Sequence, residues 1–371
     1  MKTSNPTKKL HDLGQSIWLD NLSRGLLTSG TLQRYIDDFS VTGVTSNPTI
    51  FYHAIQNSRD YDNAIREKAS HSGSMDGGPI ESLAELFIDD IRQAADLFRP
   101  AHDATEGLDG WVSLEVSPLL AHDAEGTIAA AKRLHGAVGR PNVFIKIPGT
   151  KEGLRAIEES IFAGVPINVT LLFTRKQYVE AAEAYLYGIE RRISAGLNPH
   201  VASVASLFVS RWDVAVRGKV PERLVDTLGV NVAKQTYETY RSLLDTPRWQ
   251  RILDLGARPQ RLLWASTGTK NPAASDIFYI MALAAPSTIS TMPDATLKAF
   301  ADHGNPDHFL PIHARYCDHT LAEFAEAGID MDALGQQLQD EGVEGFIKSW
   351  KAIQDCVASK RESLAAPVGA T

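Results

Sequence analysis

Cysteine is almost missing from this chain. Its two cysteines, Cys317 and Cys356, lie far apart and form no CxxC pair. That excludes a disulfide framework and a thiolate metal site, and it fits a reducing cytoplasm. A basic surplus is also missing. The formal net charge is -8, which sets aside nucleic acid or an anionic membrane as main partner, although a local cationic pocket can persist beneath such an average. No segment is long and apolar enough to span a bilayer. Ile277 to Ile289 comes nearest, and Pro286 with its Ser and Thr neighbours marks that stretch as core. The opening residues MKTSNPTKKLHDLGQ lack the apolar run of a signal peptide. Dinucleotide and phosphate-loop glycine motifs, HExxH and GxSxG are all wanting. His303, His308 and His313 are spaced too loosely for a ligand set, so no metal is expected. No internal repeat, low-complexity domain or Pro- or Gly-rich linker divides the chain, so one domain over 1–371 is expected.

What is present is apolar residue enough for a large core, 43% of 371 residues, in a regular alternation. Short apolar strands are expected at 16–20, 40–46, 111–117, 143–148, 167–173, 201–208, 261–267 and 287–292. Helical periodicity falls between most of them. Thr174 followed by Gln177 has the capping-box pattern, and Tyr178, Ala182, Tyr185, Leu186, Ile189 and Ile193 then mark one buried face. Ser82 and Glu85 begin another helix, with Leu83, Leu86, Phe87 and Leu97 as its apolar positions. Eight strands separated by helices predict an α/β fold, a (β/α)8 TIM barrel. Residues 306–360 read as additional C-terminal helices, 70–79 as an exposed loop and 364–371 as a flexible tail.

The strands alternate in an informative way. Ile17 and Leu19 oppose Trp18 and Asp20; Val112 and Leu114 oppose Ser113 and Glu115. Val143, Ile145 and Ile147 oppose Phe144 and Lys146; Ile167, Val169 and Leu171 oppose Asn168 and Thr170. The apolar sets can pack on the outer helices, and the polar sets then point into the barrel near the strands' C-terminal ends, where barrel enzymes place their chemistry. Desolvation of an inward lysine disfavours its ammonium, and the neutral amine is a nucleophile for carbonyls. Structural readings of the same residues stay open. Asp20 could cap a helix, Glu115 could be the ion partner of Lys146, and Asn47 before Pro48 could form a turn. Arg211 and Lys270 could be surface charges, and Trp18 and Phe208 could be core.

FIKIPGT (144–150), TSNPT (45–49) and NVTLLF (168–173) resemble the signature segments of the transaldolase family. QSIWLDNLSR, WASTGTKNP (264–272) and TMPDATLKAFADHG (291–304) resemble its longer bacterial branch, so the likeness covers nearly the whole chain. The resemblance implies that Lys146 forms a Schiff base with a ketose phosphate, and that Asp20 takes the C4 hydroxyl proton as the C3–C4 bond breaks. It implies a proton-relay water held by Glu115 and Thr170. Asn47 and Asn168 match amides that hold dihydroxyacetone hydroxyls, with Thr45 as a supporting hydroxyl. Ser206, Phe208 and Arg211 match a substrate-side serine, an apolar wall and a phosphate-binding arginine. Where the family has a serine followed closely by an arginine, Ser266 is followed here by Thr267, Gly268, Thr269 and Lys270, which makes Lys270 the substitute phosphate contact.

The implied activity is transfer of a dihydroxyacetone unit from sedoheptulose 7-phosphate to glyceraldehyde 3-phosphate, giving erythrose 4-phosphate and fructose 6-phosphate. It belongs to the non-oxidative pentose phosphate pathway and needs no cofactor, since the iminium is the electron sink. Two alternatives remain, a fructose 6-phosphate aldolase and a catalytically silent sugar-phosphate-binding barrel. Glu115 and the extra helices favour the transferase; the presence of Lys146, Asp20 and Glu115 disfavours the silent barrel.

Overall fold

The computed structural model describes residues 5–71, 79–311 and 317–365. Within them, eight strands form a closed barrel: β1 (Gln15–Leu19), β2 (Val41–Val44), β3 (Trp111–Glu115), β4 (Val143–Pro148), β5 (Ile167–Leu172), β6 (Ser203–Phe208), β7 (Gln260–Ala265) and β8 (Thr288–Met292). Each pairs in parallel with the next, and β8 closes back on β1. With helices between the strands, this is the TIM-barrel architecture. Every expected strand segment overlaps one strand, with β1 and β7 each starting one residue earlier than expected. Asp20, Thr45, Ser117 and Ser266 fall just past the ladder, at the mouth where side chains can turn towards a ligand.

The barrel wall sorts its side chains by parity. Ile17, Leu19, Val112, Leu114, Val143, Ile145, Ile147, Ile167 and Val169 join the core shared with the outer helices. Trp18, Phe144, Val204, Leu263 and Ile289 form a separate inner cluster. Gly43 on β2 makes room for the Trp18 indole, since a Cβ there would lie 2.6 Å from Trp18 Nε1. Leu171 departs from the expected outward set. Its backbone turns left-handed at φ 57°, the β5–β6 register shifts between Val169 and Leu172, and Leu171 joins the inner cluster while Leu172 takes the outer place. Strict alternation cannot foresee such a bulge.

The helix Arg175–Ser194 opens with the expected capping box: Gln177 N donates to Thr174 Oγ1, and Gln177 Oε1 accepts from Thr174 N. Its anticipated face is buried, with Ile193 at the edge. The helix read from Ser82 is already under way at Pro79 and runs to Ala104. Ser70 and His71 close the preceding helix, Asp62–His71, and residues 72–78 of the expected loop lie outside the described residues. The stretch 277–289 is core, with Ile277, Tyr279, Ile280, Leu283 and Ile289 all buried. No described helix is long and apolar enough to cross a membrane.

The added C-terminal helices span Cys317–Glu326 and Met331–Ala365. Leu364 and Ala365, read from sequence as the start of the tail, belong to the second; residues 366–371 lie outside the described residues. This long helix runs along the helix Pro48–Gln56, where Thr49 and Ser349 exchange a hydroxyl contact of 2.8 Å. It also reaches the C-terminal ends of β4 and β5, for Gln339 Nε2 donates to the carbonyls of Gly149 and Leu171, each at 3.0 Å. The helix thereby lies against the barrel mouth.

Candidate active site

Lys146 projects from β4 into the barrel and is 5% exposed. Strand register puts Glu115 of β3 on one side of it and Asn168 of β5 on the other. Its Nζ donates to Glu115 Oε2 at 3.1 Å and to the Ser46 carbonyl at 3.2 Å. The Phe346 ring centroid lies 5.7 Å from Nζ. Burial pushes the Glu115 carboxyl above its ordinary range; Lys146 opposes that shift and Asp20 adds to it. Burial also raises Asp20, against the pull of Lys146, the Thr45 hydrogen bond and Lys270. Two carboxyl groups with raised proton affinity thus share one small space with an amine, an arrangement suited to moving protons.

Asp20 caps no helix, since Ser23 caps Arg24–Thr28. Instead Thr45 Oγ1 donates to Asp20 Oδ1 at 2.9 Å and lies 2.8 Å from Thr291 Oγ1. Asn47 does the structural work of a cap, with Oδ1 accepting from Ile50 N at 3.0 Å. It also borders the cavity, so its NH2 is what it has left to donate there. Asn168 is fully buried and committed at both ends: Ser206 Oγ donates to Oδ1 at 2.7 Å, and Nδ2 donates to Ser113 Oγ at 3.0 Å. Ser206 reaches the cavity and Asn168 stands behind it. Thr170 Oγ1 is buried without a hydrogen-bond partner, although Thr170 borders the same cavity.

That cavity measures about 290 Å³ and opens at the C-terminal mouth. Besides Asp20, Thr45, Asn47, Lys146, Thr170 and Ser206 it is bordered by Phe208, Arg211, Ser266 and Lys270. Ser266 adopts φ 56°, and its Oγ lies 2.9 Å from Ser210 Oγ, which fixes the turn leading to Lys270. The Arg211 guanidinium lies 5.2 Å from the Phe208 ring centroid, and burial lowers its proton affinity. Neither Arg211 nor Lys270 has a hydrogen-bonded or ion-paired partner among the described residues. Arg211 is partly buried and Lys270 is exposed; a partly buried cation without a partner is costly, and an anion at the mouth relieves that cost. A second cavity, of about 340 Å³, lies at the opposite end of the barrel among Trp18, Trp111 and Phe144. Its arginines are already bonded, Arg258 to His200 and Arg261 to Ser16.

Every side chain singled out from the sequence therefore borders the mouth cavity or touches a residue that does. Three participants escaped notice. The Ser46 carbonyl holds the amine, but a backbone group leaves no side-chain signal. Thr291 touches Thr45 and stands inward at the end of β8, where parity could have found it. Phe346 comes from the C-terminal helix, beyond the reach of strand alternation. Among the described residues, no group of three or more His, Cys, Asp or Glu side chains could hold a metal ion.

The raised folded-state proton affinity of Asp20 has a definite sign in stability. Its contribution is full below the ordinary aspartate value of about 3.9 and is lost as pH rises through the folded value. Asp20→Asn keeps an oxygen for the Thr45 hydroxyl and removes the charge. Thermal melts should therefore find the variant more stable than the parent at neutral pH, with the difference closing at about pH 4. Equal melting of the two proteins at neutral pH contradicts this reading.

The family model described as Transaldolase/Fructose-6-phosphate aldolase matches residues 17–357. A transaldolase from Parafrankia sp. (strain EAN1pec) is 42% identical over 371 residues, covering 98% of this chain and 100% of its own. One from Acidothermus cellulolyticus is 44% identical over 370 residues, covering 97% and 98%. A more divergent one, from Trichodesmium erythraeum, is 38% identical over 379 residues, covering 97% and 99%. The matched span holds Lys146, its carboxylates and both cations of the mouth, and at this identity and coverage the chain belongs to the transaldolase/fructose-6-phosphate aldolase family.

Proposed function

We propose that the chain is a transaldolase that moves a dihydroxyacetone unit from sedoheptulose 7-phosphate to glyceraldehyde 3-phosphate, giving erythrose 4-phosphate and fructose 6-phosphate. The observation that carries this reading is the buried 3.1 Å contact of Lys146 with Glu115 beside a cavity edged by two cations. Sugar-phosphate partners, a cytoplasmic location and a place in the non-oxidative pentose phosphate pathway belong to the same reading.

Glu115 accepts a proton from Lys146, and its raised proton affinity favours that transfer. The freed amine adds to the ketose carbonyl. A water held between Glu115 and the otherwise unpartnered Thr170 hydroxyl relays protons as the carbinolamine loses water to become the iminium. Asp20 then takes the C4 hydroxyl proton, and the C3–C4 bond electrons flow into the iminium, leaving an enamine and a free aldose phosphate. Burial makes the Asp20 carboxylate a stronger base than usual. The acceptor aldehyde enters, the enamine carbon attacks it, and Asp20 returns the proton to the new hydroxyl; water on the Thr170 side then hydrolyses the new iminium at C2, freeing the ketose phosphate and the Lys146 amine. Asn47 donates to a dihydroxyacetone oxygen. Ser206 offers lone pairs to another, its own proton being committed to Asn168.

Lys146 is tested by incubation with fructose 6-phosphate and borohydride. A reduced adduct on Lys146 is expected by peptide mass mapping, and Lys146→Arg should abolish both adduct and turnover. An adduct on a different lysine contradicts the assignment.

Arg211 and Lys270 hold the phosphate, Arg211 through its planar fork and Lys270 as a point charge. Charge-assisted contacts are worth about 1.5–3 kcal/mol each, so Arg211→Ala should lower kcat/KM for phosphorylated donors by about ten- to a hundredfold. Fructose itself should be affected much less, which separates phosphate recognition from general damage. Lys270→Ala should act the same way but more mildly. Steady-state kinetics on both substrates decides, and equal losses on the two remove the phosphate role.

A further inference from the structure

The C-terminal helix Met331–Ala365 presents Gly335, Gln339, Gly342 and Phe346 at steps of four, three and four, one continuous helical face. Each has a reason to face the barrel. A Cβ on Gly335 would overlap the Thr174 methyl, whose hydroxyl is fixed by the capping box. Gln339 is bonded to Gly149 and Leu171 at the ends of β4 and β5. A Cβ on Gly342 would come within 2.8 Å of Leu171 Cδ2 and 3.2 Å of Arg211 Nη1. Two glycines allow close approach and one amide fixes the register, which brings the next residue on that face, Phe346, to the cavity. Its ring is 5% exposed and lies 5.7 Å from Lys146 Nζ. A ring that only filled core had no need to border both the reacting amine and the substrate space.

We propose that Phe346 is a specificity-determining residue: it keeps water from C3 of the enamine on Lys146, so that the dihydroxyacetone unit waits for an aldose instead of being released. The inference rests on the Schiff-base reading above. After the C3–C4 bond breaks, the enamine has two fates. In transfer, its C3 bonds to the acceptor carbonyl carbon and Asp20 gives its proton to the aldehyde oxygen. In release, C3 instead takes the proton that Asp20 received from the C4 hydroxyl, carried by a water. The resulting iminium adds water at C2, the C2–N bond breaks, and free dihydroxyacetone leaves the Lys146 amine behind. Both routes end in hydrolysis of an iminium by water at C2, and only release first needs a proton delivered to C3. An apolar ring over the amine keeps water from carrying a proton to C3, whereas water still reaches C2 from the side of Thr170 for the first carbinolamine and for the final hydrolysis.

The test compares the full-length parent with Phe346→Ala, Phe346→Gln and Phe346→Leu. Each is supplied with fructose 6-phosphate and erythrose 4-phosphate, and free dihydroxyacetone is measured against sedoheptulose 7-phosphate. Phe346→Ala opens the space and Phe346→Gln brings a polar amide into it. Both should raise free dihydroxyacetone per transfer by about tenfold or more, as a loss of ~1.4 kcal/mol in discrimination would give. Phe346→Leu, still apolar and bulky, should stay near the parent ratio. A purely structural role lowers both products together and leaves the ratio alone. A parental ratio in either Phe346→Ala or Phe346→Gln overturns the proposal, and if one of the two does not fold, the other decides. Borohydride trapping of the parent is read first. Absence of an adduct on Lys146 defeats the Schiff-base reading and this inference with it, whereas an adduct with an unmoved ratio defeats the inference alone.

Discussion

A lysine inside a barrel, 3.1 Å from a buried carboxylate, is the interaction on which the rest of this structure depends. Burying an ion pair costs several kcal/mol per ion in desolvation, and mutual attraction returns that only with good geometry and further hydrogen bonds. Here the Ser46 carbonyl takes a second Lys146 proton, and Thr45 supports the neighbouring Asp20. Even so, burial leaves both Glu115 and Asp20 with raised proton affinity. A fold selected for stability alone would fill such a site with apolar side chains. The stability comes from elsewhere: an apolar layer between strands and helices, and an aromatic floor in which Trp111 stacks on Phe144 with ring centroids 4.0 Å apart. Phe144 lies two residues before Lys146 on β4, so the packing that stabilises the barrel also fixes the direction of the amine.

Much of this was legible in the sequence because strand parity is a strong constraint. Once β1, β3, β4 and β5 are recognised, a period of two decides that Asp20, Glu115, Lys146 and Thr170 share an interior. A slip of one residue would expose Ile145 and Ile147 to it instead. Parity fails where the backbone leaves the regular strand. Leu171 turned inward through a left-handed bulge, and Ser266 holds a similar conformation at the end of β7. It is equally silent on what arrives from distant sequence. The Gly335, Gln339, Gly342, Phe346 face has a clear helical spacing, but nothing in that spacing says which surface it meets. Asn168 shows a subtler limit. Its inward position was readable, but its hydrogen bonds with Ser206 and Ser113 depend on three strands at once.

The mouth reconciles an acidic protein with an anionic substrate. A net charge of -8 describes the whole chain, whereas a ligand in the cavity meets the fields nearest to it. Arg211 and Lys270 stand there without an ion-paired or hydrogen-bonded partner among the described residues, and burial weakens Arg211's hold on its proton. On the proposed reading, a phosphate supplies the missing charge at the rim and leaves the carbonyl end of the sugar to reach Lys146. Anchoring is then the work of the rim cations and chemistry that of the amine, a division that concentrates binding energy away from the reacting bonds.

The central claim is that the three-carbon unit stays covalently on Lys146 between donor and acceptor. The most direct measurement is a label-dilution experiment. Fructose 6-phosphate carrying carbon-13 at C1 is supplied with erythrose 4-phosphate in the presence of excess unlabelled dihydroxyacetone, and the sedoheptulose 7-phosphate formed is analysed by mass spectrometry. The account predicts that the label passes undiluted into the product. Dilution by the free dihydroxyacetone pool, or release of the labelled unit with no labelled heptulose, would contradict it.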